Sequence, residues 1–179
     1  MLPVDSTILV LVDVQGKLAQ LMHERELLVA NLGRMVRGAQ VLGIPIIWNE
    51  QVPEKLGPTI PEVAELLTGL APLPKNAFSC CGNPAFVDRL EETGRRQVVL
   101  VGIETHVCVY QTARDLLSGG YAVEVVADAV SSRTEANWRI GLDRVRQLGG
   151  GITSTEMVLF ELLGVAEGER FRAIQRAVK

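Results

Sequence analysis

The feature that most constrains this chain is a series of short, unbroken apolar runs separated by segments of helical periodicity. The runs are Ile8-Leu9-Val10-Leu11-Val12, Ile44-Pro45-Ile46-Ile47-Trp48, Val98-Val99-Leu100-Val101 and Val123-Glu124-Val125-Val126. They are rich in β-branched residues and mostly do not alternate with polar ones, the pattern of strands buried on both faces of a parallel sheet. A weaker strand is predicted around Ala77-Phe78, and Ile152 begins a last short one. Between the runs, Leu28, Leu32, Met35, Ala39 and Leu42 share one helical face, and Gly43 supplies the stop. Asn83-Pro84 places a capping residue before a first-turn proline, with Phe86, Val87 and Leu90 behind it and Gly94 at the end. Val109, Thr112, Ala113, Leu116 and Leu117 form a third face, closed by Gly119-Gly120. Ser132 to Glu135 reads as a capping box ahead of Trp138, Leu142, Val145 and Leu148, before the glycines at 149–151. A narrow stripe of Phe171, Ile174 and Val178 near the carboxyl end either closes the core or meets a partner subunit.

Strand-helix repetition of this kind predicts an α/β fold: three α/β/α layers with a mainly parallel sheet and right-handed crossovers. With 179 residues and no linker, repeat or low-complexity tract, one domain over 1–179 is expected. A content of 47% hydrophobic and 22% charged residues excludes a largely disordered chain. The net charge of −3 provides no electrostatic footprint for nucleic acid. No apolar run reaches the ~18 residues of a membrane span, and the opening Met-Leu-Pro-Val-Asp lacks the pattern of a signal peptide. Three cysteines, two of them adjacent (Cys80, Cys81), argue against a disulfide framework and for a reducing cytoplasm.

In open α/β sheets, ligands gather beyond the carboxyl ends of the strands. That rule singles out Asp13, the Asn49-Glu50-Gln51 turn, the Phe78 region and the segment after Val101. In Gly102-Ile-Glu-Thr-His-Val-Cys108, the cysteine falls in the first turn of a helix, where the unpaired N–H groups favour an anion and lower a thiol pKa. An unpaired cysteine there is either an activated nucleophile or a small buried hydrophobe. Asp13 ends the strongest strand and either caps the next helix or serves chemistry. Lys75, after Pro72 and Pro74, has the weakest signal of its own, since lone lysines are mostly exposed. Together the three offer a carboxylate to take a thiol proton, a nearby cation and a thiolate to attack. His106 and Cys108 are two apart and do not face each other on a helix. No zinc spacing, Gly-x-Gly-x-x-Gly or P-loop pattern is present, so neither a metal nor a cofactor is expected. The stretch from Asn49 to Pro61, with three prolines and Gly57, is either a functional loop or a plain surface excursion.

Leu-Val-Asp13-Val-Gln15, Lys75 in Pro-Lys-Asn-Ala-Phe-Ser, and Val-Gly102-Ile-Glu-Thr-His-Val-Cys108-Val resemble the isochorismatase-like cysteine hydrolases, from about Thr7 to Leu163. The resemblance implies a three-layer parallel-sheet fold and an Asp-Lys-Cys triad, with Cys108 as nucleophile, Asp13 as general base and Lys75 as the cation holding both. It also implies a cis peptide between Ile103 and Glu104 and an oxyanion hole made by the backbone N–H groups of Glu104 and Cys108. Nicotinamidases of this family bind a metal through Asp-x-His and a further histidine. Here the stretch reads Trp48-Asn49-Glu50-Gln51, which resembles the metal-independent branch. Isochorismate hydrolases proper lack the nucleophilic cysteine that this chain has.

The expected activity is hydrolysis of a small amide or related carbonyl compound through a thioester on Cys108, in a cytoplasmic homo-oligomer. Gln15, Asn49, Gln51, Phe78 and Trp138 are the candidate pocket residues. The alternatives are a non-catalytic binding or scaffold protein on the same fold, and an isochorismatase-type vinyl-ether hydrolase.

Overall fold

All six residues of β1 (Thr7–Val12) are buried, and their apolar side chains point alternately into two separate cores. Leu9 and Leu11 enter one, while Ile8, Val10 and Val12 enter the other. Such a strand has no solvent face, so the sheet must carry helices on both sides. The computed structural model describes residues 2–178, and only the two end residues of the predicted 1–179 domain, Met1 and Lys179, lie outside them.

After β1 the order is α1 (Gly16–Gln20), α2 (Arg25–Leu42), β2 (Ile46–Gln51), α3 (Pro53–Leu56), α4 (Pro61–Ala64), β3 (Leu73–Lys75), α5 (Pro84–Glu92) and β4 (Gln97–Ile103). Then follow α6 (Tyr110–Ser118), β5 (Ala122–Ser131), α7 (Glu135–Gln147), β6 (Gly151–Thr153), α8 (Thr155–Leu163) and α9 (Gly168–Val178). The sheet order is β3-β2-β1-β4-β5-β6, with every neighbouring pair parallel. Helices α2, α8 and α9 cover one face, with Leu32, Val36, Leu159 and fully buried Ile174 in the core. The carboxyl-terminal stripe therefore closes the core through Ile174. Helices α5, α6 and α7 cover the other face with Phe86, Leu116 and Val145. Each buried side chain of this size contributes about 1.5–3 kcal/mol by leaving water.

The local signals act largely as expected. Gly43 stops α2 in a left-handed conformation (φ 69°) with its N–H returned to Ala39 O and Gln40 O. Asn83 caps α5 by accepting from Ala85 N. Four expectations are corrected. The weak strand lies at Leu73–Lys75, before Ala77-Phe78; it sits on the sheet edge, where Pro74 breaks no ladder. The capping residue of α7 is Thr134, which accepts from Asn137 N, because Ser132 is still held at the strand end by a hydrogen bond to His106. Asn49-Glu50-Gln51 is the end of β2, and the following stretch folds into two single-turn helices that begin at Pro53 and Pro61. Strand β5 runs to Ser131, because an irregularity in its pairing with β4 inserts extra residues before Val130 meets Gly102.

Candidate active site

In this strand order the connections diverge between β1 and β4, and the crevice at such a switch point takes ligands. Asp13 follows β1 there, with φ of 52°, a left-handed conformation that aspartate tolerates better than most residues. Its N–H donates to Asn49 O at 3.2 Å and its carbonyl accepts from Gln15 N at 2.8 Å. The chain thus turns sharply where the strand ends, and the carboxylate is buried, its side chain 3% exposed.

Lys75 closes β3, in register with Gln51. Its ammonium, on a side chain wholly out of solvent, donates to Asp13 Oδ2 at 2.7 Å, Gln51 Oε1 at 2.6 Å, Phe78 O at 3.0 Å and Ala77 O at 3.1 Å. Three N–H protons face four acceptors, so the group has no donor to spare. Removing one partner from such a buried ion pair costs about 3–5 kcal/mol, because the other charge is left uncompensated.

Cys108 arrives from β4. The Ile103–Glu104 peptide is cis, and Thr105–Val109 form one π-helical turn leading into α6. Gly102 has φ of 113°, and a Cβ there would lie 2.1 Å from Val12 O, so only glycine lets β4 end this close to β1. The thiol is buried, next to the Asp13 carboxylate. Asp13 Oδ1 itself is buried and without a partner in hydrogen-bonding geometry. The thiol nevertheless acts on the carboxylate as a nearby donor, holding Asp13's pKa down and its own up. A buried carboxylate that has one oxygen without a donor and a thiol as its neighbour has acceptor capacity for that thiol's proton.

Burial is the largest influence on both groups. It raises Asp13 above the ordinary carboxylate value, outweighing Lys75, which pulls the other way, while Glu50 adds to the rise. It also raises the Cys108 thiol, and the Asp13 charge raises it further against the pull of Lys75. The expectation of a thiol pKa lowered at a helix start is therefore corrected. The turn is π-helical and buried, and it faces a carboxylate, so the resting sulfur is a thiol.

The structure brings Asp13, Lys75 and Cys108 together and places the other candidates around them. Gln15, fully buried, donates to Gln51 O at 3.1 Å and Gly57 O at 2.7 Å and accepts from Gln51 N at 2.6 Å. Gln51 contacts Lys75 directly. Asn49 donates to Leu11 O at 3.1 Å, and its Oδ1 is buried without a partner. Phe78 accepts from Lys75 through its main-chain oxygen, and the residue, a candidate for the pocket wall, is 55% exposed. Trp138 is hydrogen-bonded to Ala127 O and lines a cavity of about 140 Å³ with His23, Asp128 and Ser131, which none of the three central residues lines. Sequence reasoning missed Thr59, whose N–H and hydroxyl both donate to buried Glu50, and Arg133, which binds the Glu104 carboxylate through its N–H and Nε, both at 3.1 Å. Arg133 follows the carboxyl end of β5, where the crevice rule points. Among the described residues, no group of three or more His, Cys, Asp or Glu side chains is placed to hold a metal ion.

The family model of the Isochorismatase domain matches residues 7–157. Isochorismatase domain-containing protein 2 of Bos taurus is 38% identical over 175 residues, 97% of this chain and 83% of the relative. Isochorismatase domain-containing protein 1 of Salmo salar is 42% identical over 82% of this chain, which spans 51% of that longer protein. Among solved structures, MAR1 ribonuclease from Caenorhabditis elegans superimposes with a TM-score of 0.92 at 34% identity, over 99% of this chain and 91% of its own. The YcaC gene product of Escherichia coli shares the fold, with a TM-score of 0.93 at 23% identity over 98% of this chain and 88% of its own. The chain belongs to the isochorismatase family.

Proposed function

We propose that this protein, acting as one domain, is a metal-independent cysteine hydrolase that cleaves a small amide or related carbonyl compound. The observation that carries this reading is the buried Asp13 carboxylate, tied to Lys75 through Oδ2, with its Oδ1 unpaired, and next to the Cys108 thiol. As sulfur attacks the carbonyl carbon, its proton passes to Asp13. The thiolate therefore develops only in contact with substrate, which suits a thiol that burial keeps protonated. The oxyanion of the tetrahedral intermediate is taken by the backbone N–H groups of Glu104 and Cys108, each worth about 3 kcal/mol in the transition state. Asp13 returns the proton to the leaving nitrogen, and amine or ammonia departs from a thioester on Cys108. Water then attacks the thioester and gives a proton to Asp13. The carboxylic product and the free thiol follow. Lys75 has no free donor, so in this scheme it fixes Asp13 and does not touch the substrate. The net charge of −3 supports a small-molecule substrate over nucleic acid.

Among the described residues, no helix is long and apolar enough to cross a membrane. The reading places the protein in a reducing cytoplasm, which keeps the nucleophile reduced. It also places it in a homo-oligomer, for which exposed Leu21, Ile140 and Met157 provide apolar surface.

The test is an activity screen over small primary and secondary amides, with mass spectrometry of the intact protein under turnover. An RNA oligonucleotide is included because the Caenorhabditis elegans relative bears the name ribonuclease. We expect an amide to turn over, an acyl adduct to accumulate on Cys108, and Cys108→Ala to lose at least about a thousandfold in rate. Undiminished turnover by Cys108→Ala would refute the scheme.

A further inference from the structure

We propose that Gln51 is a positioning residue that sets how firmly Lys75 holds Asp13, and so how readily Asp13 takes the thiol proton; this rests on the triad reading above. The ground is the count of acceptors around one ammonium. Asp13 Oδ2 at 2.7 Å and Gln51 Oε1 at 2.6 Å are its two side-chain partners, and two main-chain oxygens complete the set. Three protons divided among four acceptors cannot give each a full hydrogen bond, so what Gln51 takes, Asp13 partly forgoes.

The orientation of the Gln51 amide is fixed by chemistry. Nε2 donates to Asn76 O at 2.8 Å, so the carbonyl end must be the one that meets Lys75; the flipped amide would set a donor against a donor and an acceptor against an acceptor. The backbone beneath is held equally. Gln15 bonds both the N–H and the carbonyl of Gln51, and its third bond, to Gly57 O, ties the following loop to the same residue. Gln51 is 8% exposed, and its Oε1 and Nε2 both have protein partners. Its side chain is thus occupied in holding the ammonium, whereas the sequence placed it in the substrate pocket.

The other charged and titratable groups acting on Asp13 are Lys75 from β3, Glu50 from β2 and Cys108 from the π turn; Cys80 is also coupled to Asp13. Gln51 is the one neutral side chain that accepts from the same ammonium; its other neutral acceptors, Ala77 O and Phe78 O, are main-chain atoms that a substitution does not remove. Two substitutions therefore act with opposite signs. Gln51→Met removes the competitor, frees Lys75 for Asp13 and lowers the carboxyl pKa. Gln51→Glu adds a second carboxylate on one cation and raises it.

The readout is the rate of Cys108 alkylation by iodoacetamide against pH, followed by intact mass. The lower limb of that profile reports proton acceptance by Asp13. We expect Gln51→Glu to move the limb up by about one pH unit, about tenfold in rate on the slope, and Gln51→Met to move it down. A purely structural role would shift both variants the same way or not at all, and either result would overturn the proposal. Gln51→Glu keeps size and shape but gives up the bond to Asn76 O, so it does not decide alone; if Gln51→Met fails to fold, Gln51→Leu removes the same acceptor and takes its place in the comparison. Parent protein and Asp13→Asn are run alongside. If the parent's Cys108 is not alkylated, or Asp13→Asn leaves the profile unchanged, the triad reading fails. If those controls behave and the Gln51 variants stay still, only the role of Gln51 fails.

Discussion

Cys80 and Cys108 are both buried thiols in the same apolar core under α5, α6 and α7. Burial raises both pKa values, that of Cys80 to about 12. What separates them is the nearest polar group. Cys80 lies in the 3₁₀ turn before α5, its N–H bonded to the Thr112 hydroxyl, and its thiol also interacts with that hydroxyl. Cys108 faces a carboxylate with an unpaired oxygen. A raised pKa is inert chemistry in the first setting. In the second it keeps a nucleophile masked until a base removes the proton, and it makes the resulting thiolate more nucleophilic when it does. Burial alone distinguishes neither residue.

The largest expected effect comes from removing the base. Asp13→Asn should slow acylation and Cys108 alkylation at neutral pH by about 10²–10⁴-fold, which would make Cys108 behave like Cys80. The pH dependence has a definite sign. The folded-state pKa of Asp13 is raised, and only the ionised form accepts the thiol proton, so parent activity should rise with pH through a limb above the ordinary ~3.9 of a carboxylate. The same shift acts on stability. This group's contribution is complete below its unfolded pKa and is lost as pH rises through the folded value, a slope that urea titrations of Asp13→Asn should lack. The variant should nonetheless be about 3 kcal/mol less stable at neutral pH, with Lys75 left buried without its counter-charge. Undiminished alkylation in this variant would break the distinction between the two thiols.

Much of this contrast was legible in the chain, and the reasons are physical. Strand β1 announces itself because burial on both faces demands consecutive apolar residues, and its end fixes Asp13. The crevice rule brings Asp13 and Cys108 to one place because β1 and β4 are neighbours. Lys75 carries no such signal. Its strand is three residues long, contains Pro74 and lies at the sheet edge, so no apolar run marks it; it stood out weakly, as the cation that Asp13 and Cys108 would need, and the family resemblance strengthened it. Nor does a sequence show how a side chain spends its hydrogen bonds. Gln51 and Phe78 both stood as pocket residues; what the chain did not show is that each also offers Lys75 an acceptor, one from its side chain and the other from its main chain. The thiol pKa ran opposite to expectation because helix-start position is visible in the sequence, while burial against a carboxylate is a property of the packed core.

A smaller effect tests the other side of the comparison. Cys80→Ala removes a fully buried thiol that is coupled to Cys108 and Lys75 through space but donates no proton in the scheme. The alkylation rate of Cys108 should stay within about threefold of the parent, while the cavity left behind costs about 1 kcal/mol in a urea denaturation midpoint. A hundredfold loss of Cys108 reactivity would mean that the two thiols work as a pair.

The smallest effect is expected at Phe78, and it separates backbone from side chain within the site. The carbonyl at this position accepts from Lys75 at 3.0 Å, and that bond survives any substitution that leaves the main chain in place. The ring is more than half exposed and has little buried contact to lose. Phe78→Ala should therefore change stability by less than about 0.5 kcal/mol and leave the pH profile of Cys108 alkylation where it was. Should the profile move, the ring must be what holds the Ala77–Phe78 carbonyls against the ammonium, and the side chain would have to be counted among the groups that position Lys75.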